Sequence, residues 1–227
     1  MTPDADSPKR RIFIVDDYPL VREGLSTLIN RQPDLAVCGE AATAADAIRN
    51  APASKPEAAI VDISLKDSFG IELIGELKRA CPGLEVLVLS VHDESLYAKR
   101  CLRAGAKGYI MKRESTRKVI EALRKILQGK FYISEAVAEA VTAEFVEGKT
   151  LANCSPTEQL SNRELAVFGM LGQGIGTRQI AETLGVNIKT VQVYCTRIKE
   201  KLNLSDAAHL LREAVRHYQA QNPNDRP

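Results

Sequence analysis

The chain has 227 residues, of which 44% are hydrophobic and 5% aromatic, with no tryptophan and a formal net charge of +2 at pH 7. This length allows one large domain or two smaller ones, and no apolar stretch is long enough to span a bilayer. Residues 1–11 lack the apolar core of a signal peptide, and the five scattered cysteines form no CxxC pair. We therefore expect a cytoplasmic protein with free thiols, no Cys/His metal site and no membrane partner.

Strand and helix patterns alternate through residues 10–129, which we take as the first domain. The predicted strands are 11–16, 35–40, 58–63, 85–90 and 108–111. The predicted helices are 19–30, 43–50, 69–80, 95–104 and 115–128. Such alternation is typical of a parallel sheet with helices on both faces. We expect an α/β doubly wound, flavodoxin-like fold with five strands in the order 2-1-3-4-5.

An acidic segment follows at 130–159, which we interpret as a linker with an amphipathic helix. Residues 131–160 carry five acidic side chains and one basic one. Within 131–147 an apolar residue recurs every fourth place, at Ile133, Val137, Val141 and Phe145. This spacing predicts one apolar helix stripe. The helix is either a connector packed on a domain or a contact between domains or protomers, and 147–159 is the expected flexible joint.

Short helices alone are predicted for residues 160–219, a small all-α domain. Ser161 or Asn162 is the expected cap of its first helix. Residues 177–202 give a helix, a tight turn at Gly185 and a second helix with Asn187 as its N-cap, and 205–219 form a last helix. This arrangement is typical of a helix-turn-helix domain.

Three carboxylates follow two of the predicted strands. Asp16 and Asp17 end the first strand, and Asp62 ends the third. Each acid alone would be an ordinary turn or helix cap. In the order 2-1-3-4-5, however, strands 1 and 3 flank the switch point where ligands bind. Carboxylates that meet there repel one another, which protonation or a divalent cation relieves, and oxygen donors with room for water suit Mg²⁺.

Two further side chains extend this constellation along the same edge. Ser90 ends the fourth strand with a hydroxyl, and Lys112 ends the fifth with a cation. A metal, an ammonium group and a hydroxyl around one carboxylate favour phosphoryl transfer by positioning and electrostatics. Asp62 is the expected nucleophile.

The helix at 187–202 has an apolar face and a polar one. Val191, Cys195, Ile198 and Leu202 share the core face, with Tyr194 beside them. The expected DNA-contacting residues lie on the other face and its flank and are Lys189, Gln192, Val193, Thr196, Arg197 and Lys199. We expect this helix to enter a major groove of double-stranded DNA. The alternative is a charged, solvated helix in a small bundle.

The first domain closely resembles the receiver domain of bacterial response regulators. The stretches "IVDDYPLVREGL", "AIVDISL", "VLVLSVHDE" and "LRAGAKGYIMK" carry the resemblance. It implies phosphorylation of Asp62 by a sensor histidine kinase and a role for Lys112 as phosphoryl partner. It also implies a switch pair, Ser90 and Tyr109, that reports to the surface of helix 4, strand 5 and helix 5. The implied Mg²⁺ ligands are Asp17, Asp62 and the main-chain carbonyl of Ser64, with Asp16 acting partly through water.

The sequence departs from common receivers at Lys66 and Arg113, where proline is frequent. Residues 160–217 resemble the LuxR-type DNA-binding domain, with Gln192 at a position that is often lysine. A receiver followed by this domain is the layout of the NarL/FixJ family. The resemblance implies a transcription regulator that forms a homodimer on activation, with RNA polymerase as a further possible partner.

Two alternatives belong to other functional classes. An aspartyl-phosphate phosphatase of the haloacid dehalogenase type needs an acid two residues after its nucleophile, where this chain has Ser64. We therefore expect no enzyme beyond Mg²⁺-dependent phosphorylation and slow self-dephosphorylation. A pseudo-receiver acting without phosphate is the second alternative, which the complete set of acids disfavours.

Overall fold

The computed structural model describes residues 8–65, 70–114, 116–146 and 156–221. The chain divides into two compact units, Met1–Ala143 and Glu144–Pro227. Lys66 and most of the predicted joint at 147–159 lie outside the described residues, as does the side chain of Phe145.

A parallel sheet with the order β2-β1-β3-β4-β5 forms the centre of the first unit, which confirms the predicted fold. All neighbouring strands pair in parallel, so their carboxyl ends lie along one edge. The strands are β1 (Arg10–Val15), β2 (Leu35–Ala41), β3 (Ala58–Val61), β4 (Glu85–Ser90) and β5 (Gly108–Met111). Val15 of β1 pairs with Val61 of β3, so the residues that follow both strands are neighbours.

Helices alternate with these strands as predicted. They are α1 (Pro19–Asn30), α2 (Ala44–Ser54), α3 (Gly70–Ala80), α4 (Glu94–Arg103) and α5 (Thr116–Ile126). Helix α2 runs past its predicted end at residue 50 and through Pro52. Ala47 and Ala51 are buried on its inner face, so packing continues the helix for one more turn.

The hydrophobic core on one face of the sheet joins β1 to α1 and α5. Ile12 and Ile14 of β1 are fully buried against Ile29 of α1 and Leu123 of α5. This packing fixes the carboxyl end of β1, which carries the first two acids.

The chain after α5 differs from its prediction. The helix predicted at 131–147 begins only at Glu135, as α6 (Glu135–Val146). Before it, the N–H of Tyr132 donates to the carbonyl of Lys107 at 2.8 Å, and the N–H of Tyr109 donates to the carbonyl of Tyr132 at 3.0 Å. The open edge of β5 thus holds residue 132 in an extended bridge, although Ile133 matches the helical spacing.

Four α-helices are described in the second unit, after a short 3₁₀ turn at Pro156–Gln159. They are α7 (Asn162–Gly172), α8 (Thr177–Leu184), α9 (Ile188–Leu202) and α10 (Ala207–Gln221). Ser161 caps α7 in a capping box with Glu164, and Asn187 caps α9 through its side chain, both as predicted. Gly185 ends α8 with φ at 64°, a left-handed conformation that suits glycine.

A buried ion pair orients α9 within this unit. Glu164 of α7 is 2% exposed, and its Oε2 accepts hydrogen bonds from Lys201 Nζ and the Ser161 N–H, each at 2.7 Å. Burial raises the pKa of Glu164, but these bonds outweigh it and hold the pKa below its usual range. The carboxyl end of α9 is thereby fixed to α7. None of the described helices combines the length and apolarity that crossing a membrane requires.

Candidate functional sites

Three buried carboxylates meet at the carboxyl edge of the sheet. Asp16 and Asp17 follow β1, Asp62 follows β3, and one oxygen of each lies within 4.8 Å of the others. Their exposed fractions are 2%, 8% and 2%. The parallel pairing places them there, since the Asp62 N–H donates to the carbonyl of Val15 at 2.8 Å. The structure thus brings together the acids that the strand order predicts as neighbours.

Lys112 reaches this acid cluster from the end of β5. Its Nζ lies 2.7 Å from Oδ2 of Asp16 and 2.7 Å from Oδ2 of Asp62. Burial lowers the pKa of Lys112, but the charges and hydrogen bonds of Asp62 and Asp16 outweigh this and raise it. Burial also raises the pKa of Asp16, against the hydrogen bond from Lys112. A fixed cation therefore bridges two of the three acids.

Local turns orient the Oδ1 atoms of Asp16 and Asp62. Oδ1 of Asp16 accepts a hydrogen bond from the N–H of Tyr18 at 2.9 Å, and Oδ1 of Asp62 accepts one from the N–H of Ser64 at 3.0 Å. Both contacts span two residues and hold each side chain against its own loop. Ser64, whose main-chain carbonyl is a predicted ligand, is thereby tied to Asp62.

The donor set fits a divalent cation. Three carboxylates close together carry more negative charge than the single ammonium of Lys112 neutralises, and all their donors are hard oxygens. Such a set suits Mg²⁺. Asp16, Asp17, Asp62 and the carbonyl of Ser64 would hold the ion.

Ser90 and Tyr109 lie on adjacent strands beside this site. Ser90 is fully buried at the end of β4, and Tyr109 of β5 is 2% exposed. The Ser90 Oγ accepts a hydrogen bond from the N–H of His92 at 3.0 Å. Burial raises the pKa of Tyr109 well above its usual value, and the nearby Ser90 side chain opposes this. The Tyr109 hydroxyl donates to the carbonyl of His92 at 2.9 Å, so both predicted switch residues bond to the main chain of His92.

Sequence reasoning missed Arg22 and His92. The guanidinium of Arg22 donates from Nη1 to the main-chain carbonyl of Asp16 at 2.7 Å. Burial and the charge of Lys112 lower the pKa of His92 to about 4. No local pattern signals either feature, because both depend on how α1 and the loop after β4 pack at the edge of the sheet.

Helix α9 presents the predicted DNA-contacting face. Lys189, Gln192, Val193, Thr196 and Arg197 are exposed, and Lys199 is half-buried. On the opposite face Val191 and Ile198 are fully buried, while Tyr194, Cys195 and Leu202 are partly buried. The apolar side chain of Val193 is 48% exposed. The helix therefore has the two faces that its sequence predicts.

Two more side chains belong to this candidate nucleic-acid interface and were not predicted. Ile188 in the first turn of α9 is 43% exposed, although its type favours burial. Arg178 in the first turn of α8 extends into solvent, near Glu182. Their positions just after helix starts were the available signal, since the amino-terminal residues of a recognition helix contact base edges and the preceding helix of the motif crosses the DNA backbone.

Comparison with known families identifies both units. Residues 12–124 match the family described as "Response regulator receiver domain". Residues 158–214 match the family described as "Bacterial regulatory proteins, luxR family". The first match contains the acid cluster and Lys112, and the second contains α7, α8 and α9.

Relatives share both units. The oxygen regulatory protein NreC of Staphylococcus carnosus is 33% identical over 210 residues, which cover 91% of this chain and 97% of that protein. NreC of Staphylococcus epidermidis is 31% identical over 211 residues, with the same coverage.

Solved structures also resemble the chain. A LuxR-family two-component response regulator from Aurantimonas has a TM-score of 0.56 and 33% identity, and the match covers 61% of this chain and 99% of that chain. RcsB from Salmonella enterica serovar Typhimurium, solved on promoter DNA with a phosphomimetic, has a TM-score of 0.59 and 24% identity. That match covers 92% of this chain and 99% of RcsB, and it supports the fold.

Proposed function

The chain belongs to the NarL/FixJ response regulators, which join a receiver to a LuxR-type DNA-binding domain, and we propose that phosphorylation of Asp62 controls its DNA binding. It is a transcriptional response regulator of a two-component system. The observation that carries the proposal is the meeting of three buried carboxylates with Lys112 Nζ, which lies 2.7 Å from two of them.

Asp62 is the proposed phosphoryl acceptor. An oxygen of its carboxylate attacks the phosphorus of a phosphohistidine on a sensor kinase, an O–P bond forms, and the P–N bond to the imidazole breaks. Lys112 stays beside the acceptor and neutralises charge on the phosphoryl oxygens. A bound Mg²⁺ would supply electrostatic stabilisation of the same oxygens. Asp16 and Asp17 contribute by holding that ion.

Ser90 and Tyr109 are the proposed route from the phosphoryl group to the rest of the molecule. Phosphorylation adds a charge of about −1.5 to −2 and three acceptor oxygens. The Ser90 Oγ accepts a hydrogen bond from the His92 N–H, and its own O–H can donate to one of these oxygens, so a movement of Ser90 towards the phosphoryl group also pulls on the loop after β4. Tyr109 responds because its hydroxyl bonds to the His92 carbonyl in that loop, and the surface of α4, β5 and α5 then favours a homodimer.

The proposed DNA-binding element is α9. Gln192 can pair bidentately with adenine, and Val193 can contact a thymine methyl group. Lys189, Arg197 and Lys199 would chiefly neutralise phosphates, and Thr196 would face base edges with Gln192. The exposure of Val193 supports this, because an apolar side chain there gains by burial against DNA.

The test of the function compares wild-type protein with Asp62→Asn. Incubation with acetyl phosphate and Mg²⁺ should add one phosphate to the wild-type protein by mass, and selection from random duplexes should enrich a sequence more strongly after that treatment. Asp62→Asn should show neither effect. Uptake of phosphate by Asp62→Asn at the wild-type rate would refute the acceptor assignment, and equal enrichment with and without acetyl phosphate would support the phosphate-independent alternative.

A further inference from the structure

Arg22 lies behind the acid cluster and contacts its main chain. Its Nη1 donates to the carbonyl of Asp16 at 2.7 Å, and its side chain is only 17% exposed. The Nε of Arg22 lies 3.5 Å from Oε2 of Glu40, and Oε1 of Glu40 accepts a hydrogen bond from the Ser26 hydroxyl. A chain of polar contacts from α1 and β2 therefore ends at the carbonyl of Asp16.

This carbonyl belongs to the peptide group that leads into Asp17. Because a peptide group is planar, a fixed oxygen also fixes the direction in which the chain enters the next residue. The N–H of Asp16 is held as well, since it donates to the carbonyl of Ala41 at 3.2 Å. Arg22 and β2 thus hold Asp16 from two sides, and the Asp17 side chain starts from a fixed point.

We propose that Arg22 is a positioning residue for the acid cluster, which sets the affinity of that cluster for Mg²⁺ by holding the Asp16 carbonyl. The inference rests on the proposed Mg²⁺-dependent function of the same site. Arg22 contacts the main chain rather than a carboxylate, so it acts through the geometry of Asp16 and Asp17.

A purely electrostatic role for Arg22 would have the opposite sign. Removing a cation near an anionic site should strengthen binding of a divalent cation, and removing the negative charge of Glu40 should weaken it. If Arg22 acts by positioning, loss of Arg22 should instead weaken Mg²⁺ binding, and Glu40→Gln should change it little. The order of Mg²⁺ affinity of the two variants therefore distinguishes positioning by Arg22 from a purely electrostatic effect.

The experiment titrates the full-length, unphosphorylated chain with Mg²⁺ and follows amide chemical shifts by NMR. Arg22→Met keeps much of the side-chain volume and removes every donor, and we expect it to weaken Mg²⁺ binding at least about tenfold, as partners of metal ligands do. Arg22→Lys retains one donor group, so its Mg²⁺ affinity should fall less than that of Arg22→Met. Glu40→Gln, the matched control, leaves the contact between Arg22 and Asp16 and should bind Mg²⁺ nearly as tightly as the wild-type chain.

Mg²⁺ binding by Arg22→Met at wild-type strength or tighter would overturn the proposal, as would an equal loss in Glu40→Gln. Thermal melting of the metal-free variants shows whether each is folded. If Arg22→Met does not fold, Arg22→Lys is compared with Glu40→Gln: weaker binding in the lysine variant supports positioning, and equal binding refutes it.

Phosphorylation provides a separate readout. If Arg22 acts through the ion, a higher Mg²⁺ concentration should restore phosphorylation of Arg22→Met by acetyl phosphate, and a deficit that persists at saturating Mg²⁺ would contradict this route. Asp62→Asn should remain unmodified at every concentration. If the wild-type chain binds Mg²⁺ but Asp62 takes no phosphate, the proposed function fails. The Mg²⁺ affinities of the Arg22 and Glu40 variants would still test the role of Arg22.

Discussion

The hydroxyl of Tyr109 donates a hydrogen bond to the main-chain carbonyl of His92 at 2.9 Å. The N–H of the same residue, His92, donates to Ser90 Oγ at 3.0 Å. Ser90 and Tyr109 are therefore joined through one residue of the loop after β4. A change at the proposed phosphoryl site that displaces His92 should alter both contacts together.

Ser90→Ala should separate phosphorylation from its consequence. The variant retains Asp62 and Lys112, so acetyl phosphate should still add one phosphate. It lacks the hydroxyl that can donate to the phosphoryl group, and we expect it to lose most of its phosphate-dependent dimerisation. Analytical ultracentrifugation with and without acetyl phosphate measures the dimerisation. If phosphorylated Ser90→Ala dimerises as strongly as phosphorylated wild type, Ser90 does not transmit the signal.

His92 should make the receiver less stable in acid. Its pKa is about 4 when folded, below the ordinary value of 6.5, so it resists protonation that the unfolded chain accepts. The free energy of unfolding should therefore fall as pH drops from 6.5 towards 4, by at most about 1.4 kcal/mol per pH unit from this group. Urea unfolding of wild type and His92→Gln across this pH range measures the effect. The free energy of unfolding of His92→Gln should fall less than that of wild type as the pH drops. A difference between them that does not change with pH would contradict the assignment.

Gly70 in the first turn of α3 packs directly on the main chain of Asp62, the proposed acceptor. A Cβ at this position would lie 2.2 Å from the carbonyl oxygen of Asp62 and 2.7 Å from Cα of Ile63. Gly70→Ala must move α3 or the acceptor, so it should lower stability by about 1–3 kcal/mol and slow phosphorylation by acetyl phosphate. Gly75→Ala in the same helix meets nothing within 4 Å and should be neutral or stabilising. Equal phosphorylation rates in the two variants would show that the contact does not position Asp62.

Gln192 and Lys199 should differ in how they affect DNA binding. Gln192→Ala should lose about 1–3 kcal/mol of binding free energy on a selected duplex and relax the base preference at one A·T pair. Lys199→Ala should weaken binding to matched and mismatched duplexes alike. It should also reduce the slope of log binding constant against log salt concentration by about one unit. Fluorescence anisotropy across a salt series measures both. If both variants weaken all duplexes equally, Gln192 does not read a base, and if neither changes binding, α9 does not contact DNA.

The strand order and the meeting of the acids could be predicted because each depends on local signals. Alternating apolar runs gave the strands, and parallel pairing makes residues after β1 and β3 neighbours. Hence Asp16 and Asp62 could be placed together from sequence alone. The contact of Arg22 with the Asp16 carbonyl could not, because a long side chain has many acceptors within reach and the main-chain direction after β1 is set by tertiary packing.

Periodicity failed where a tertiary partner competed with the local pattern. Ile133 continues the four-residue spacing of α6, yet the helix begins at Glu135 because the preceding residues pair with β5. In α2 the prediction was too short, since the helix continues past residue 50 and through Pro52, where Ala51 is buried. In both cases burial or strand pairing decided the boundary against the local signal.

The bridge between Tyr132 and β5 has a consequence for the solubility of the receiver. Tyr132 supplies partners for the Lys107 carbonyl and the Tyr109 N–H, which would otherwise face outwards on the last strand of the sheet. An uncovered strand of this kind is a template for pairing with other chains. A receiver truncated after Gly129 should therefore aggregate more readily than one that ends after Ala143, although both retain every residue of the acid cluster.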